Sequence, residues 1–241
     1  MKVSYWSDTT APRYSLLFAF PLLLGYEVLA WSLGGGGQTG IRNGADVLLK
    51  SLFLGLGGKH GLTIFTLVLL GTGAFLVIQD LRRSGRPLLR VFGGMMLESV
   101  AYALMLGGVA GLLTNILLTG RLAILSGQLA QFDLSTQLMV SLGAGIYEEL
   151  LFRVLIVTGL MALARRVFGW AKVPSGIFAA VLGALVFSGF HYVGPYGDPF
   201  QVGSFTFRAV AGLLFSGLYI VRGFGVTAWS HALYDVFLSL G

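Results

Sequence analysis

The chain has 241 residues, of which 56% are hydrophobic and 11% are charged, and its mean hydropathy is +0.83. Soluble domains carry about 25% charged residues, so this composition excludes an ordinary soluble protein and indicates an integral membrane protein. The net charge of +6 does not indicate nucleic-acid binding, because the basic residues are spread between apolar segments. The absence of cysteine excludes disulfides and thiolate chemistry.

In chain order, seven apolar segments are long enough, or nearly so, to cross a bilayer as helices. The shorter amphipathic segment 44–57, GADVLLKSLFLGLG, is expected to lie on the membrane interface or to form a partial span. The 36 glycines favour close contacts between helices. The sequence therefore predicts an all-α, polytopic transmembrane bundle, a single integral membrane domain over residues 1–241. The predicted spans are 14–33, 61–80, 91–119, 134–163, 174–191, 205–221 and 224–240.

The basic residues predict the orientation of these spans. With the N-terminus in the cytoplasm, ten of the 16 lysines and arginines fall on the cytoplasmic side, five fall outside and Arg153 lies within a span. The positive-inside rule favours this orientation, with the C-terminus outside, and we expect a bacterial inner membrane. The cytoplasmic group is Lys2, Arg13, Arg82, Arg83, Arg86, Arg90, Arg165, Arg166, Lys172 and Arg222, and the outer group is Arg42, Lys50, Lys59, Arg121 and Arg208.

The segment GIYEELLFRVLI (145–156) places three ionisable side chains inside a predicted span. Such groups are costly at bilayer depth and are often functional. In an α-helix, Glu149 and Arg153 are four residues apart and share a face, so Arg153 is expected to neutralise Glu149. Glu148 points elsewhere and keeps no local counter-charge. An Arg–Glu pair can also be a purely structural clamp between helices.

Two further segments add histidines. His191 ends FSGFH, and His231 and Asp235 lie four residues apart in SHALYD, a spacing that suits a carboxylate orienting an imidazole or two groups converging on one point. With the glutamates, these groups can activate a water and stabilise an oxyanion. Glu148, His191 and His231 also offer ligands for a divalent metal such as zinc. A single membrane histidine can equally be a hydrogen-bonded packing residue.

Four other polar residues are weaker candidates. Glu98 could line the same cavity, and Glu27 could make a helix contact or a substrate-gate contact. His60 lies at the end of a predicted span and is interpreted as interfacial. Asp198, in GPYGDPF, is interpreted as a turn residue.

Three motifs in this order resemble those of a known family. EELLFR matches a Glu-Glu-x-x-x-Arg motif, FSGFH matches Phe-x-x-x-His, and HALYD matches His-x-x-x-Asn/Asp. The chain thus resembles, over about residues 134–240, the CAAX-protease and bacteriocin-processing family of intramembrane proteases, also called CPBP or Abi. The first 130 residues carry none of these motifs.

The resemblance implies a role for each motif residue. Glu148, helped by His191, would activate the attacking water, and Glu149 and Arg153 would hold the site together. His231 and the last residue of the third motif would stabilise the oxyanion. The family has been described both as metalloproteases and as metal-independent glutamate proteases, and the sequence leaves both open.

Asp235 departs from the eukaryotic prenyl-protein enzymes, which carry Asn at this position. An amide can donate a hydrogen bond to an oxyanion, whereas an ionised carboxylate repels it. Asp235 is therefore expected to be protonated, to orient His231 or to serve a metal.

These observations favour an intramembrane endopeptidase that hydrolyses a peptide bond in a membrane-anchored protein or peptide, near the substrate's C-terminus. One alternative is a proton-coupled transporter that uses the glutamates and histidines as a relay, although the sequence shows no inverted repeat. Another is a non-catalytic membrane scaffold or immunity protein that keeps the motif residues for structure.

Overall fold

The computed structural model describes residues 5–34, 40–118, 132–194 and 197–240, and within these ranges it contains helices and short connections but no strand. Lys2, Arg121 and Thr119, which enter the predicted orientation or the third predicted span, lie outside the described residues. The helices are α1 (Tyr5–Asp8), α2 (Pro12–Leu33), α3 (Gly44–Gly57), α4 (Gly61–Ser84), α5 (Leu89–Leu117), α6 (Leu134–Gly143), α7 (Thr158–Val167), α8 (Lys172–Phe190), α9 (Val202–Arg222) and α10 (Phe224–Leu240).

The protein is an all-α membrane bundle, as predicted, but the number of spans differs. Among the described residues, five helical stretches are long and apolar enough to cross a membrane. Two predicted spans are missing from this set, because 134–163 is divided into shorter helical pieces and α10 has 17 residues. The five stretches are Pro12–Leu33, Gly44–Ser84, Leu89–Leu117, Lys172–Phe190 and Val202–Arg222.

The amphipathic segment 44–57 forms the whole of α3. The side chain of Asn43 caps its N-terminus by accepting a hydrogen bond from the backbone N–H of Ala45. A 3₁₀ turn at Gly58–His60 then leads into α4, which packs against α3. Gly58 has a φ of 54°, which favours glycine, and His60 is exposed at this turn. The interfacial position of α3 stays a prediction.

The helix that carries EELLFR is not an α-helix at its centre. Between α6 and α7, residues Ala144–Val157 form a π-helix, here called the π segment. The α-helical geometry expected for 145–156 is therefore wrong. π-Helices are rare, usually span a single turn and are frequent at functional sites, so the length of this one marks the segment as unusual.

Glycines allow other helices to approach the π segment and the end of α6 closely. A β-carbon at Gly145 would lie 2.5 Å from the carbonyl oxygen of Ala228 in α10. A β-carbon at Gly143 would lie 2.6 Å from the ring of Tyr26 in α2. Helices α3 and α8 also pack against the segment. The close helix contacts expected from the glycine content are thus confirmed at these positions.

A buried apolar cluster surrounds the π segment and holds α2, α3, α4, α8 and α10 around it. Its aromatic members are Tyr26, Phe65, Tyr147, Phe152 and Phe187. The outer surface carries exposed large apolar side chains such as Leu56, Leu89 and Leu97, as expected for a surface that contacts lipid. The polar groups of the π segment therefore lie at the centre of the bundle.

Candidate active site

Glu149 is the buried centre of a three-residue contact. Its Oε1 lies 3.1 Å from Nη1 of Arg153 and 2.6 Å from Nδ1 of His231. The side chains of Glu149 and Arg153 are fully buried. Arg153 also donates from Nη2 to the carbonyl oxygen of Gly212 in α9, at 3.4 Å. The predicted pairing of Glu149 with Arg153 is therefore present, and it links the π segment to α9 and α10.

His231 lies between two carboxylates. Its Nδ1 contacts Glu149, and its Nε2 lies 3.7 Å from Oδ2 of Asp235. Because an ionised carboxylate only accepts hydrogen bonds, Nδ1 carries a proton. The ring stacks on Phe215, with centroids 4.5 Å apart and planes inclined by 23°. Glu149 therefore makes the closer contact with His231, whereas the four-residue spacing alone points to Asp235.

Glu148 is oriented away from this contact. Its Oε1 accepts a 2.8 Å hydrogen bond from Nδ2 of Asn43, and no ion pair joins it to Arg153 within the described ranges. Glu148 is 9% exposed and interacts electrostatically with His191, with His231 and, more weakly, with Arg153. The two glutamates thus have separate partners, as the sequence led us to expect, but the amide partner of Glu148 was missed.

His191 follows the last residue of α8, where a neighbour fixes its ring. Its Nδ1 lies 2.9 Å from the carbonyl oxygen of Phe187, which can only accept, so Nδ1 donates and a neutral His191 presents Nε2 as an acceptor. The Phe187 ring lies 4.9 Å from the His191 ring and 6.1 Å from the His231 ring. The Arg153 guanidinium lies 4.5 Å from its centroid. Phe187 thus orients His191 through its carbonyl oxygen and packs its ring against both histidines.

The described side chains do not form an evident metal site. Within the four described ranges, no three or more His, Asp or Glu side chains are placed to hold one metal ion. Nδ1 of each site histidine is bonded to Glu149 or to the Phe187 carbonyl, and Glu148 is bonded to Asn43. These bonds occupy Nδ1 of each histidine and leave Nε2 available to a ligand, so the expected zinc set of Glu148, His191 and His231 stays a prediction.

The family comparison covers the same part of the chain. Residues 130–237 match the family model of the Rce1-like type II CAAX prenyl endopeptidases. We call this segment the Rce1-like domain. The match confirms the resemblance carried by the three motifs and indicates a CAAX-type protease with a membrane-associated peptide substrate. No curated protein and no solved structure matches the chain. The segment includes all six candidate residues, which are Glu148, Glu149, Arg153, His191, His231 and Asp235.

Asn43 lies outside the Rce1-like domain, and sequence reasoning did not select it. The stretch IRNGAD carries the local pattern of a helix N-cap, which Asn43 indeed forms. Nothing in that pattern indicates that its amide reaches a carboxylate 105 residues further along the chain.

Glu27 belongs to a charged network beside the Rce1-like domain. Its Oε1 accepts a hydrogen bond from the Tyr147 hydroxyl at 2.7 Å and lies 3.0 Å from Nζ of Lys50, and its Oε2 lies 3.2 Å from Nη1 of Arg42. Tyr147 directly precedes Glu148. The structure therefore gives Glu27 a helix contact between α2, α3 and the π segment.

Glu98 lies in a separate cluster. Its two oxygens accept hydrogen bonds from Nε and Nη2 of Arg222 at 2.6 and 2.7 Å, and Tyr5 and Tyr102 also donate to it. Burial and the hydrogen bond to Glu98 raise the pKa of Tyr5 to about 12. Glu98 contacts none of the six site residues, so the expectation that it lines their cavity gains no support.

Asp198 does more than form the expected turn between α8 and α9. Its backbone N–H donates to the carbonyl oxygen of His191 at 2.9 Å, and its side chain forms an ion pair with Arg208. These contacts attach the connection after α8 to α9 and hold the backbone of His191.

Proposed function

We propose that the protein is an intramembrane endopeptidase that hydrolyses a peptide bond near the C-terminus of a membrane-anchored protein or peptide. The observation that carries this proposal is the unequal environment of the two adjacent glutamates. Glu149 is held by Arg153 and His231, whereas Glu148 has a neutral amide partner and two histidines nearby. This leaves Glu148 as the carboxylate that can exchange a proton.

In the first step, the Glu148 carboxylate accepts a proton from a water molecule, and the resulting hydroxide attacks the carbonyl carbon of the scissile peptide bond. His191 assists through Nε2, because its Nδ1 is committed to the Phe187 carbonyl. The neutral ring can therefore accept a hydrogen bond from the same water. The attack creates a tetrahedral intermediate with a negatively charged oxygen.

In the second step, His231 stabilises that oxyanion. Nδ1 of His231 already donates to Glu149, so Nε2 can donate to the oxyanion only if the ring is a protonated imidazolium. Glu149 and Asp235 supply the negative charge that stabilises this cation. Asp235 then acts as a partner of His231 and not as a direct donor to the oxyanion. The intermediate collapses when the carbon–nitrogen bond breaks, and the proton held by Glu148 passes to the leaving amine.

We further propose that this chemistry takes place at the outer side of a bacterial inner membrane. Asn43 follows the end of α2 in the chain and contacts Glu148, while His191 follows the end of α8. These two helix ends lie on the same side of the membrane if each of five segments crosses the bilayer. The five are α2, α4, α5, the continuous run of α6, the π segment and α7, and α8. With the N-terminus in the cytoplasm, as the basic residues favour, that side is the outer one.

Cleavage assays in proteoliposomes test the proposal. Two probes are offered, a farnesylated peptide with a C-terminal CAAX sequence and an unmodified peptide with a C-terminal transmembrane helix. We expect cleavage of at least one probe, a loss of at least about 100-fold in Glu148→Gln, and near-normal cleavage per folded molecule in the matched control Glu98→Gln, whose cluster contacts none of the site residues. Persistent activity of Glu148→Gln, or a wild-type protein that cleaves neither probe, would overturn the proposal.

Two additional measurements separate the alternatives. We expect cleavage to survive a strong chelator; loss of cleavage that zinc restores would instead establish a metalloprotease. A wild-type protein that dissipates a proton gradient across the liposome membrane, and does so less in Glu148→Gln, would favour the transporter.

A further inference from the structure

The contact between Asn43 and Glu148 joins two distant parts of the chain inside the bundle. Nδ2 of Asn43 lies 2.8 Å from Oε1 of Glu148, and the two residues are 105 positions apart. Asn43 is 3% exposed and Glu148 is 9% exposed. A hydrogen bond to a buried charged group is worth more than one at the surface, because water does not replace it when it is lost.

The surrounding contacts determine which end of the Asn43 amide faces Glu148. Oδ1 accepts the backbone N–H of Ala45 at 2.9 Å, so the NH₂ group must point toward the carboxylate. The backbone N–H of Asn43 donates to the Tyr26 hydroxyl at 3.2 Å, and that hydroxyl donates to Oδ2 of Asp46 at 2.7 Å. The side-chain oxygen and the backbone N–H of Asn43 are therefore both hydrogen-bonded, and these two bonds fix the NH₂ group that reaches Glu148.

A neutral donor suits the chemistry that Glu148 has to perform. Arg153 would neutralise a directly paired carboxylate and weaken it as a base, but Arg153 is bound to Glu149. The amide of Asn43 instead fixes Oε1 without adding a charge. With Oε1 held, Oε2 is the oxygen that would contact the attacking water, and the hydrogen bond at Oε1 restricts rotation of the carboxylate.

We propose that Asn43 is a positioning residue for Glu148, so that the N-terminal helices supply part of the active site of the Rce1-like domain. This inference rests on the proposed role of Glu148 as general base. Asn43 acts through Glu148 and does not contact the substrate. Its second role, as N-cap of α3, has to be separated from the first in any test.

Two substitutions achieve that separation. Asn43→Ser and Asn43→Asp both keep an oxygen that can cap α3, since Ser, Asp and Asn are all good N-cap residues. The serine hydroxyl is too short to bridge to Glu148, and the aspartate places a second carboxylate against it. We expect kcat per folded molecule to fall about 10- to 100-fold in Asn43→Ser and further in Asn43→Asp, with KM unchanged. Both variants should melt below wild type, and Asn43→Asp should melt lowest because it brings two buried carboxylates together.

Cleavage kinetics and thermal unfolding of the full chain, with Glu148→Gln measured in parallel, decide the outcome. A purely structural role for Asn43 would leave kcat unchanged in both cap-retaining variants. If they retain wild-type kcat while Glu148→Gln is inactive, this inference fails and the proposed function stands. If Glu148→Gln cleaves normally, the proposed function fails, and this inference fails with it.

Discussion

Nδ1 of His231 in α10 lies 2.6 Å from Oε1 of Glu149 in the π segment, although the two residues are 82 positions apart. The same oxygen lies 3.1 Å from Arg153. One carboxylate oxygen thus serves a structural ion pair and orients a site histidine. Any change at Glu149 is therefore expected to alter both the stability of the bundle and the geometry of the site.

The first prediction concerns the two neighbouring glutamates. Glu149→Gln leaves Arg153, which is fully buried, without a counter-charge, and we expect it to lower the free energy of unfolding by about 3–5 kcal/mol. Glu148→Gln keeps an oxygen that can accept from Asn43, so we expect a loss of about 1 kcal/mol or less. Thermal unfolding in detergent measures both. Equal losses would contradict the assignment of separate roles.

The pairing of Glu149 with Arg153 could be predicted from spacing, because two oppositely charged residues four apart on a buried helix have few other partners. It is present even though the helix is a π-helix at this point. The π-helix itself could not be predicted, because i→i+5 hydrogen bonding has no recognisable local sequence pattern. It depends on how α2, α8 and α10 pack around the segment.

The contacts of Glu148 and His231 could not be predicted from the sequence, for a different reason. In the structure, EELLFR, FSGFH and HALYD contact one another. Which carboxylate meets which histidine depends on helix rotation, and helix rotation is set by the three-dimensional packing. Asn43 was missed because its local pattern already has a complete explanation as an N-cap.

The second prediction concerns the close approach of α10 to the π segment. A β-carbon at Gly145 would lie 2.5 Å from the carbonyl oxygen of Ala228, three residues before His231. Gly145→Ala should therefore displace α10, lower the unfolding midpoint and reduce cleavage by weakening the Glu149–His231 contact. Gly159→Ala, in α7, is the matched control.

A β-carbon at Gly159 would have no atom within 4 Å, and the residue is exposed. Replacing an exposed helical glycine by alanine is expected to stabilise the fold by about 0.5–1 kcal/mol. Unfolding midpoints and cleavage rates of the two alanine variants are compared with wild type. A neutral Gly145→Ala would show that α10 can move without consequence for the site.

The third prediction concerns Glu98 and Arg222, whose cluster lies apart from the site. Arg222 is 1% exposed, so Glu98→Gln leaves a buried cation unpaired and should cost about 3–5 kcal/mol of stability. The double variant Glu98→Leu with Arg222→Met removes both charges and should recover much of that loss. Cleavage per folded molecule should stay near wild type in both, and a selective loss of kcat would connect this cluster to catalysis.

The last prediction concerns the orientation of the protein in the membrane and tests on which side of the membrane α8 ends. The chain contains no cysteine, so single cysteines can be introduced into the natural sequence. Val193, after α8, is 71% exposed, and Ala171, at the start of α8, is also exposed. In spheroplasts, an impermeant thiol reagent should label Val193→Cys at once, but Ala171→Cys only after permeabilisation. The reason is that Ala171 follows the basic pair Arg165 and Arg166, which the positive-inside rule retains in the cytoplasm. The reverse pattern would place His191 and the Asn43–Glu148 contact toward the cytoplasm, and the substrate bond would then have to be presented from that side.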